Sequence, residues 1–197
     1  VSAGIGFIAL SGVAILNGLM WGSAVGIFAW LLYDKPALGG VMALAMLLNL
    51  LVAALLCGLL EATRDMAADY ARTRVQFGRP IGTFQAVQHL MANVAVKLEY
   101  AKAPVHRAAC DVAHGSARAD VSVSHAKLAA TEAAALAARN SIQVHGAMGY
   151  TWEVDLHIFA KRAWTLDNAW GDRACHKLRV ADFVLADHAA IGAGATF

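Results

Sequence analysis

The chain has 197 residues, of which 59% are hydrophobic and 15% charged, and its formal net charge is +2. This near-neutral balance excludes the strongly basic surface that binds nucleic acid or anionic membranes. The three cysteines lie far apart without a zinc-type spacing, which argues against a disulfide scaffold and favours a reduced, cytoplasmic chain.

The first sixty residues are unusually apolar, since only Asp34 and Lys35 carry charge among them. The runs 5–33 and 41–60 are each long enough for the roughly 20 residues that cross a bilayer, and the linker 34–40 predicts a turn between them. Three interpretations remain open: a helical hairpin in a membrane, two helices buried in a protein core, and a degenerate or truncated N-terminus. No basic region precedes the first run, which disfavours a cleavable signal peptide.

From residue 59 the sequence becomes amphipathic. The stretch 59–75 places apolar positions at helical spacing between charged residues, and 77–80 is expected to end the helix, with Gly78 as its C-cap. Thr83 is the expected N-cap of the next helix, which runs to about residue 112 and is kinked or restarted at Pro104.

Three further helices are predicted at 119–144, 153–169 and 172–187. The first is rich in alanine and is expected to turn Lys127, Glu132 and Arg139 toward solvent. Long helices with short connections indicate an antiparallel bundle and an all-α protein.

The sequence therefore predicts three parts. Residues 1–40 form an apolar helical segment, 41–190 the helical bundle, and 191–197 a disordered tail. Membrane association through residues 5–60 is left open beside a cytoplasmic location.

Three segments together resemble the acyl-CoA dehydrogenase family. Residues 70–81 read YARTRVQFGRPI and are followed by FQAVQ at 84–88; residues 143–153 read QVHGAMGYTWE; residues 157–163 read HIFAKRA. Their order and spacing match the C-terminal helical domain of that family, a four-helix bundle, over roughly 130 residues.

The resemblance implies an FAD enzyme that oxidises the Cα–Cβ bond of an acyl-CoA thioester. It also implies that this domain makes the homo- or hetero-oligomer contact and holds part of a neighbouring subunit's FAD. By position, the implied cofactor-binding residues are Arg74, Gln76, Phe77, Gln85, Gln143, Gly146 and Ala147. Arg74 would bind the pyrophosphate, because a guanidinium matches phosphate oxygens, and Gly146 would permit close backbone approach.

The catalytic base that the resemblance implies is missing. Family enzymes remove the α-proton with a glutamate that precedes the glycine opening the last helix, but Trp170 stands before the matching Gly171. The second location used in the family falls near Leu48 and Asn49, which also lack a carboxylate. No catalytic residue and no metal-ligand pair such as HExxH is predicted within this chain.

Three hypotheses of function follow. The first is an acyl-CoA dehydrogenase-type flavoprotein polypeptide, either a fragment or a base-less subunit that helps a partner chain to hold FAD. The second is a non-catalytic structural or assembly bundle, and the third a membrane-anchored variant without flavin. Retention of flavin separates the first hypothesis from the second. Dependence on detergent separates the third from the other two.

Overall fold

The computed structural model describes residues 37–186, with side chains from residue 40 onward. The first apolar run and the tail at 191–197 lie outside these residues, so the predictions made for them stay predictions. The chain divides into two compact units, Val1–Ala45 and Met46–Phe197. The described part of the first unit is the beginning of one helix, and the second unit contains the bundle.

Five α-helices and a small hairpin make up the described residues. The helices are α1 (Ala37–Thr73), α2 (Gln85–Ala113), α3 (Ala119–His145), α4 (Leu156–Asp167) and α5 (Arg173–Val184). Strands β1 (Val75–Gln76) and β2 (Arg79–Pro80) pair antiparallel, and two 3-10 turns follow at Ile81–Thr83 and Gly146–Tyr150. The predicted all-α class is confirmed.

Helix α1 is longer than the sequence predicted. The apolar run 41–60 and the amphipathic stretch that follows it form one helix, which already includes 37–40. The turn expected at 34–40 is therefore wrong over its last four positions, where Ala37 and Leu38 are good helix formers. At the other end α1 stops at Thr73, before the hairpin, so Gly78 is not its C-cap.

Among the described helices, α1 alone has the length and composition needed to cross a membrane, over its part Gly40–Thr73. A core helix of a soluble protein has the same character, so this observation is weak support for a membrane span. From Val52 to Leu60 this helix contributes buried side chains to the largest core cluster.

The main core is formed by α1, α2, α3 and α4. Alanine dominates the contribution of α3, and its small side chain lets neighbouring helices approach closely. The α3 members are Val123, Ala126, Ala130, Ala133, Ala134 and Ala137. Buried polar groups of α3 add specific links, since Ser141 Oγ donates to Thr63 O at 3.2 Å and Asn140 Nδ2 donates to Leu90 O at 3.0 Å.

Two predictions for α2 need correction. Thr83 lies in a 3-10 turn, where its Oγ1 donates to Pro80 O at 2.7 Å, and the N-cap position belongs to Phe84, which caps with no side-chain bond. The helix is also continuous through Pro104, so a restart there is wrong. Core packing on both sides of Pro104 involves Ala101, Val105 and Ala108. This packing offsets the stability lost because proline cannot donate a helical hydrogen bond.

Lys127 was expected to face solvent, and the structure instead buries it to 1% exposure. Helix α3 packs against α2, α4 and α5, which leaves few of its faces open. The Lys127 ammonium group donates to Leu166 O at 2.6 Å and to Asp167 O at 3.2 Å. It thereby adds a charged donor at the C-terminus of α4, where Leu166 O also accepts from Ala169 N at 3.2 Å.

Candidate functional site

The hairpin between α1 and α2 presents an aromatic side chain to solvent. Val75 pairs with Pro80 and Gln76 with Arg79, which leaves a two-residue turn made of Phe77 and Gly78. Both turn residues have positive φ, 52° and 76°, as a type I′ turn requires. Such turns normally use asparagine, aspartate or glycine, so Phe77 holds a strained conformation while its side chain is 93% exposed.

Arg74 lies at the base of this hairpin with a fixed backbone and a free side chain. Its N–H donates to Tyr70 O at 2.8 Å, and its carbonyl accepts from Ile81 N at 2.8 Å. Within the described residues its guanidinium has no hydrogen bond or ion pair, whereas Arg72 is paired with Asp69 at 2.6 Å. An exposed cation held by its backbone is suited to an anionic group from outside the chain.

The other residues of the motif surround Phe84. The Arg79 guanidinium lies 4.2 Å from the centre of the Phe84 ring, and the Phe77 ring meets it edge-on at 6.1 Å. Gln85 is exposed at the first position of α2, and Gln76 Nε2 donates to Val75 O at 2.7 Å. The structure therefore brings Arg74, Gln76, Phe77 and Gln85 together around one hairpin.

The C-terminus of α3 meets this end of the bundle. The rings of Tyr70 and His145 stack with centroids 4.4 Å apart, and Val144 is buried with Ala67 and Ala71 of α1. His145 Nδ1 also lies 2.8 Å from Ser141 O. His145 is thus a packing residue at this end of the bundle.

Gly146 and Ala147 follow directly at the same end. Gly146 has φ 59° and ψ −135°, a conformation that is essentially restricted to glycine. Both residues are exposed. Among the described glycines, Gly149 also approaches backbone closely, since an added Cβ there would lie 2.9 Å from Ile142 O.

Gln143 is exposed in the last turn of α3. It lines a shallow groove of ≈ 360 Å³ together with Ala135, Arg139, Ile142, Tyr150, Trp164 and Arg173. A narrower cavity of ≈ 150 Å³ shares Ile142, Tyr150 and Trp164 and continues along α4. Of the seven predicted residues, Gln143 is the one that the structure places in this groove.

The loop before α5 has Trp170 at the position where the resemblance implies a catalytic glutamate. Trp170 is half exposed and has φ 61°, and Gly171 has φ 112°. The Asp172 carboxylate accepts from Cys175 N at 2.8 Å and so caps α5. The described residues contain no group of three or more metal-ligating side chains.

Two basic side chains near this loop, His176 and Lys127, are buried, and the sequence did not predict their burial. His176 is 2% exposed and lies against Gly171, where an added Cβ would be 3.0 Å from its Nε2. Burial, with smaller contributions from Lys127 and Arg179, lowers the pKa of His176 to about 4. Burial likewise lowers the pKa of Lys127 to about 8, against the attraction of Asp167. Nothing in the sequence marks either residue as buried.

Comparison with known proteins identifies the bundle. The model of the acyl-CoA dehydrogenase C-terminal domain matches residues 41–185. The acyl-CoA dehydrogenase IpdE2 of Mycobacterium tuberculosis is 43% identical over 114 residues, which cover 58% of this chain and 34% of that protein. The Mycolicibacterium smegmatis protein of the same name is 38% identical over 126 residues, covering 64% of this chain and 39% of that protein.

Solved structures share the fold. A glutaryl-coenzyme A dehydrogenase in complex with glutaryl-CoA matches with a TM-score of 0.70 and 32% identity, over 77% of this chain and 39% of that chain. A chain of the ChsE4–ChsE5 complex from Mycobacterium tuberculosis matches with a TM-score of 0.69 and 33% identity. The match covers 75% of this chain and 40% of that chain.

The chain spans little more than a third of the length of the curated relatives it matches. The matched part contains the hairpin, the four helices α2 to α5, and α1 from residue 41 onward. The chain belongs to the acyl-CoA dehydrogenase family and carries the C-terminal helical domain of that family.

Proposed function

We propose that this chain is the FAD-contacting helical part of an acyl-CoA dehydrogenase-type flavoprotein, which carries out the α,β-dehydrogenation of an acyl-CoA thioester. It acts as a fragment or as a base-less subunit that helps a partner chain to hold FAD. The observation that carries this proposal is the hairpin, where Arg74, unpaired among the described residues, lies beside a strained, exposed Phe77.

The residues present fit the chemistry of FAD. The Arg74 guanidinium would bind the pyrophosphate, and the Phe77 ring offers a face for a planar group. The amides of Gln76, Gln85 and Gln143 would donate or accept hydrogen bonds. Gly146 and Ala147 would let the nucleotide approach the backbone. When bound, FAD supplies the acceptor for the hydride that leaves the β-carbon.

This chain would position the cofactor without moving a proton itself. An indole cannot abstract the α-proton, so Trp170 offers no base, and Asp172 is committed to capping α5. The base and most of the acyl pocket would therefore come from a partner chain or from other parts of a longer protein. Fatty acyl and steroid side-chain thioesters are both compatible with this proposal.

We propose the cytoplasm as the compartment. The described cysteines are free thiols, consistent with a reducing environment. Membrane association through residues 5–60 is the alternative, and it predicts that the purified chain stays dispersed only in detergent.

The test is an FAD titration of the purified chain, followed by the bands of bound flavin in the absorption spectrum. Arg74→Ala is expected to weaken FAD binding about tenfold or more, the usual loss for a charge-assisted bond to phosphate. Arg72→Ala is the matched control, because Arg72 is exposed in the last turn of α1, two residues before Arg74, but is paired with Asp69.

Equal flavin affinity in the Arg74 and Arg72 variants would remove Arg74 from the site. A wild-type chain that binds no flavin, alone or with a base-bearing relative, would contradict the proposal and leave the non-catalytic structural bundle.

A further inference from the structure

The α4–α5 turn, residues 168–172, closes over a buried imidazole. Its two ends are tied together, because the Arg173 guanidinium donates to the Asp167 carboxylate from Nε at 3.1 Å and from Nη2 at 2.5 Å. Between these ends the Gly171 backbone lies against the ring of His176, so that an added Cβ would be 3.0 Å from His176 Nε2. A turn with tied ends can move its middle while both helices stay in place.

The closed turn also holds backbone strain. Trp170 and Gly171 have positive φ, 61° and 112°. Glycine adopts such angles readily, but a bulky residue such as Trp170 rarely does. The Trp170 side chain is 46% exposed, so only part of its surface gains from packing. Strain of this kind lowers the free energy that is needed to open the turn.

The imidazole of His176 is closed off from water in a site that suits its neutral form. The residue is 2% exposed. Neither ring nitrogen makes a hydrogen bond of ordinary geometry within the described chain, although the Trp170 backbone lies near enough to favour a charged ring. A protonated imidazole has two N–H donors and would need two acceptors here.

The charges that face this imidazole come from α3, from α5 and from the turn itself. Lys127 of α3 is buried, Arg179 lies one turn along α5, and both disfavour a positive charge on His176. Arg179 is linked to α3, because its Nη1 donates to Ser124 Oγ at 3.2 Å. Asp172 of the turn favours the charge. Two cations therefore face the ring against one carboxylate.

A proton on the imidazole would disturb this arrangement. Asp167 of α4 and Arg173 of α5 pair with each other, so they add little net charge. Protonated His176 would be a third cation beside Lys127 and Arg179, with too few acceptors, and burying an unpaired charge is costly. Because the turn lies directly against Nε2, lifting it lets water reach the ring without unpacking a helix.

We propose that the α4–α5 turn is an acid-released latch, which stays closed over the neutral imidazole of His176 and opens when that ring takes up a proton. Opening hydrates His176 and displaces Trp170, while the five helices stay folded. The latch is independent of the proposed function, since none of its residues is assigned to FAD.

The direction of the pH dependence follows from the two states of His176. The closed site lowers its pKa to about 4, whereas in the open turn the pKa returns toward the ordinary 6.5. The closed turn is therefore favoured above pH 6.5, and the ratio of open to closed molecules rises as the pH falls toward 4. These two pKa values correspond to an increase in that ratio on the order of a hundredfold.

Amide hydrogen exchange tests the latch on the full chain in a non-ionic detergent, followed by mass spectrometry between pH 7 and pH 4 and corrected for the intrinsic exchange rate. The amides of Ala169, Cys175 and His176 are hydrogen-bonded in the closed turn and at the start of α5. Segment 169–176 is expected to lose protection on the order of a hundredfold in acid. Segment 130–142 of α3 should stay protected, because the bundle remains folded.

Three variants assign the response. His176→Gln removes the titrating ring and should abolish the loss of protection. Arg179→Gln keeps the ring and removes an exposed cation, so the acid response should shrink about twofold or more. His125→Gln is the matched control, because His125 is an exposed histidine of α3, and it should leave the response unchanged.

Four results would overturn the latch. A response that persists in His176→Gln would assign the opening to the carboxylates of Asp167 or Asp172. Loss of protection in α3 together with the turn would mean that the whole bundle unfolds, and full protection at pH 4 would mean that the turn stays closed. If circular dichroism shows that His176→Gln does not fold, Arg179→Gln decides, and an unchanged response in that variant would reject the proposal.

Discussion

Phe77 stands in a backbone conformation that few residues other than glycine and asparagine adopt. Its φ of 52° costs stability, and its 93% exposure means that burial within the described chain does not repay that cost. Strain of this kind concentrates where a side chain is needed for binding. Under the proposed function, we propose that Phe77 is kept for contact with FAD at the expense of folding stability.

Phe77→Asn is expected to make the chain more stable and worse at binding flavin. Asparagine tolerates positive φ, so the free energy of unfolding should rise by about 0.5–1 kcal/mol. Flavin affinity should fall because the ring is lost. Urea unfolding and an FAD titration on the same sample measure the two effects, and a variant that loses stability would show that the ring supports the hairpin.

At the scale of elements, Lys127 is the link between α3 and the end of α4. Its ammonium group satisfies the carbonyls of Leu166 and Asp167, and its burial is costly enough to lower its pKa to about 8. The link therefore adds a charged donor to the end of α4, where Leu166 O already accepts from Ala169 N at 3.2 Å.

Lys127→Met keeps most of the side-chain volume and removes the donor. The free energy of unfolding should fall by about 1–3 kcal/mol, because the hydrogen bonds from a charged donor are lost. Lys177→Met is the control, because Lys177 is exposed on α5 and should change stability little. Urea midpoints compare the two, and equal midpoints would mean that the carbonyls find other donors.

At the scale of the whole molecule, His176 makes stability depend on pH. Its pKa is about 4 in the folded chain, against an ordinary 6.5, because burial and nearby Lys127 and Arg179 disfavour its charged form. Asp172 and the Trp170 backbone oppose this shift. Between pH 6.5 and about 4, His176 is protonated in the unfolded chain but neutral in the folded chain. The free energy of unfolding therefore falls as the pH is lowered through this range.

The expected loss over that range is about 3 kcal/mol at most. It should appear as a falling urea midpoint in acid. His176→Gln should flatten this part of the pH profile, while His89→Gln, at an exposed position of α2, should leave it unchanged. A profile that keeps its slope without His176 would place the titration elsewhere.

The family of the chain could be recognised from residues whose structural role depends on their neighbours in the sequence. Glycine and proline at 78–80 and 146–149 mark the breaks between helices, and the apolar spacing of α2 marks its buried face. The motif residues Arg74, Phe77 and Gln85 were therefore found in order, and the structure gathers them at one hairpin.

Other features depended on residues distant in the sequence. The sequence by itself determined the helical class, the family and the absence of a base at position 170. The tertiary structure alone decided that Lys127 is buried, because the carbonyl of Leu166 that accepts its hydrogen bond lies 39 residues away. It alone decided that Gln143 faces a groove with Trp164. Periodicity reports which face of a helix is apolar, but only packing decides which neighbour covers a face and which polar group lies opposite.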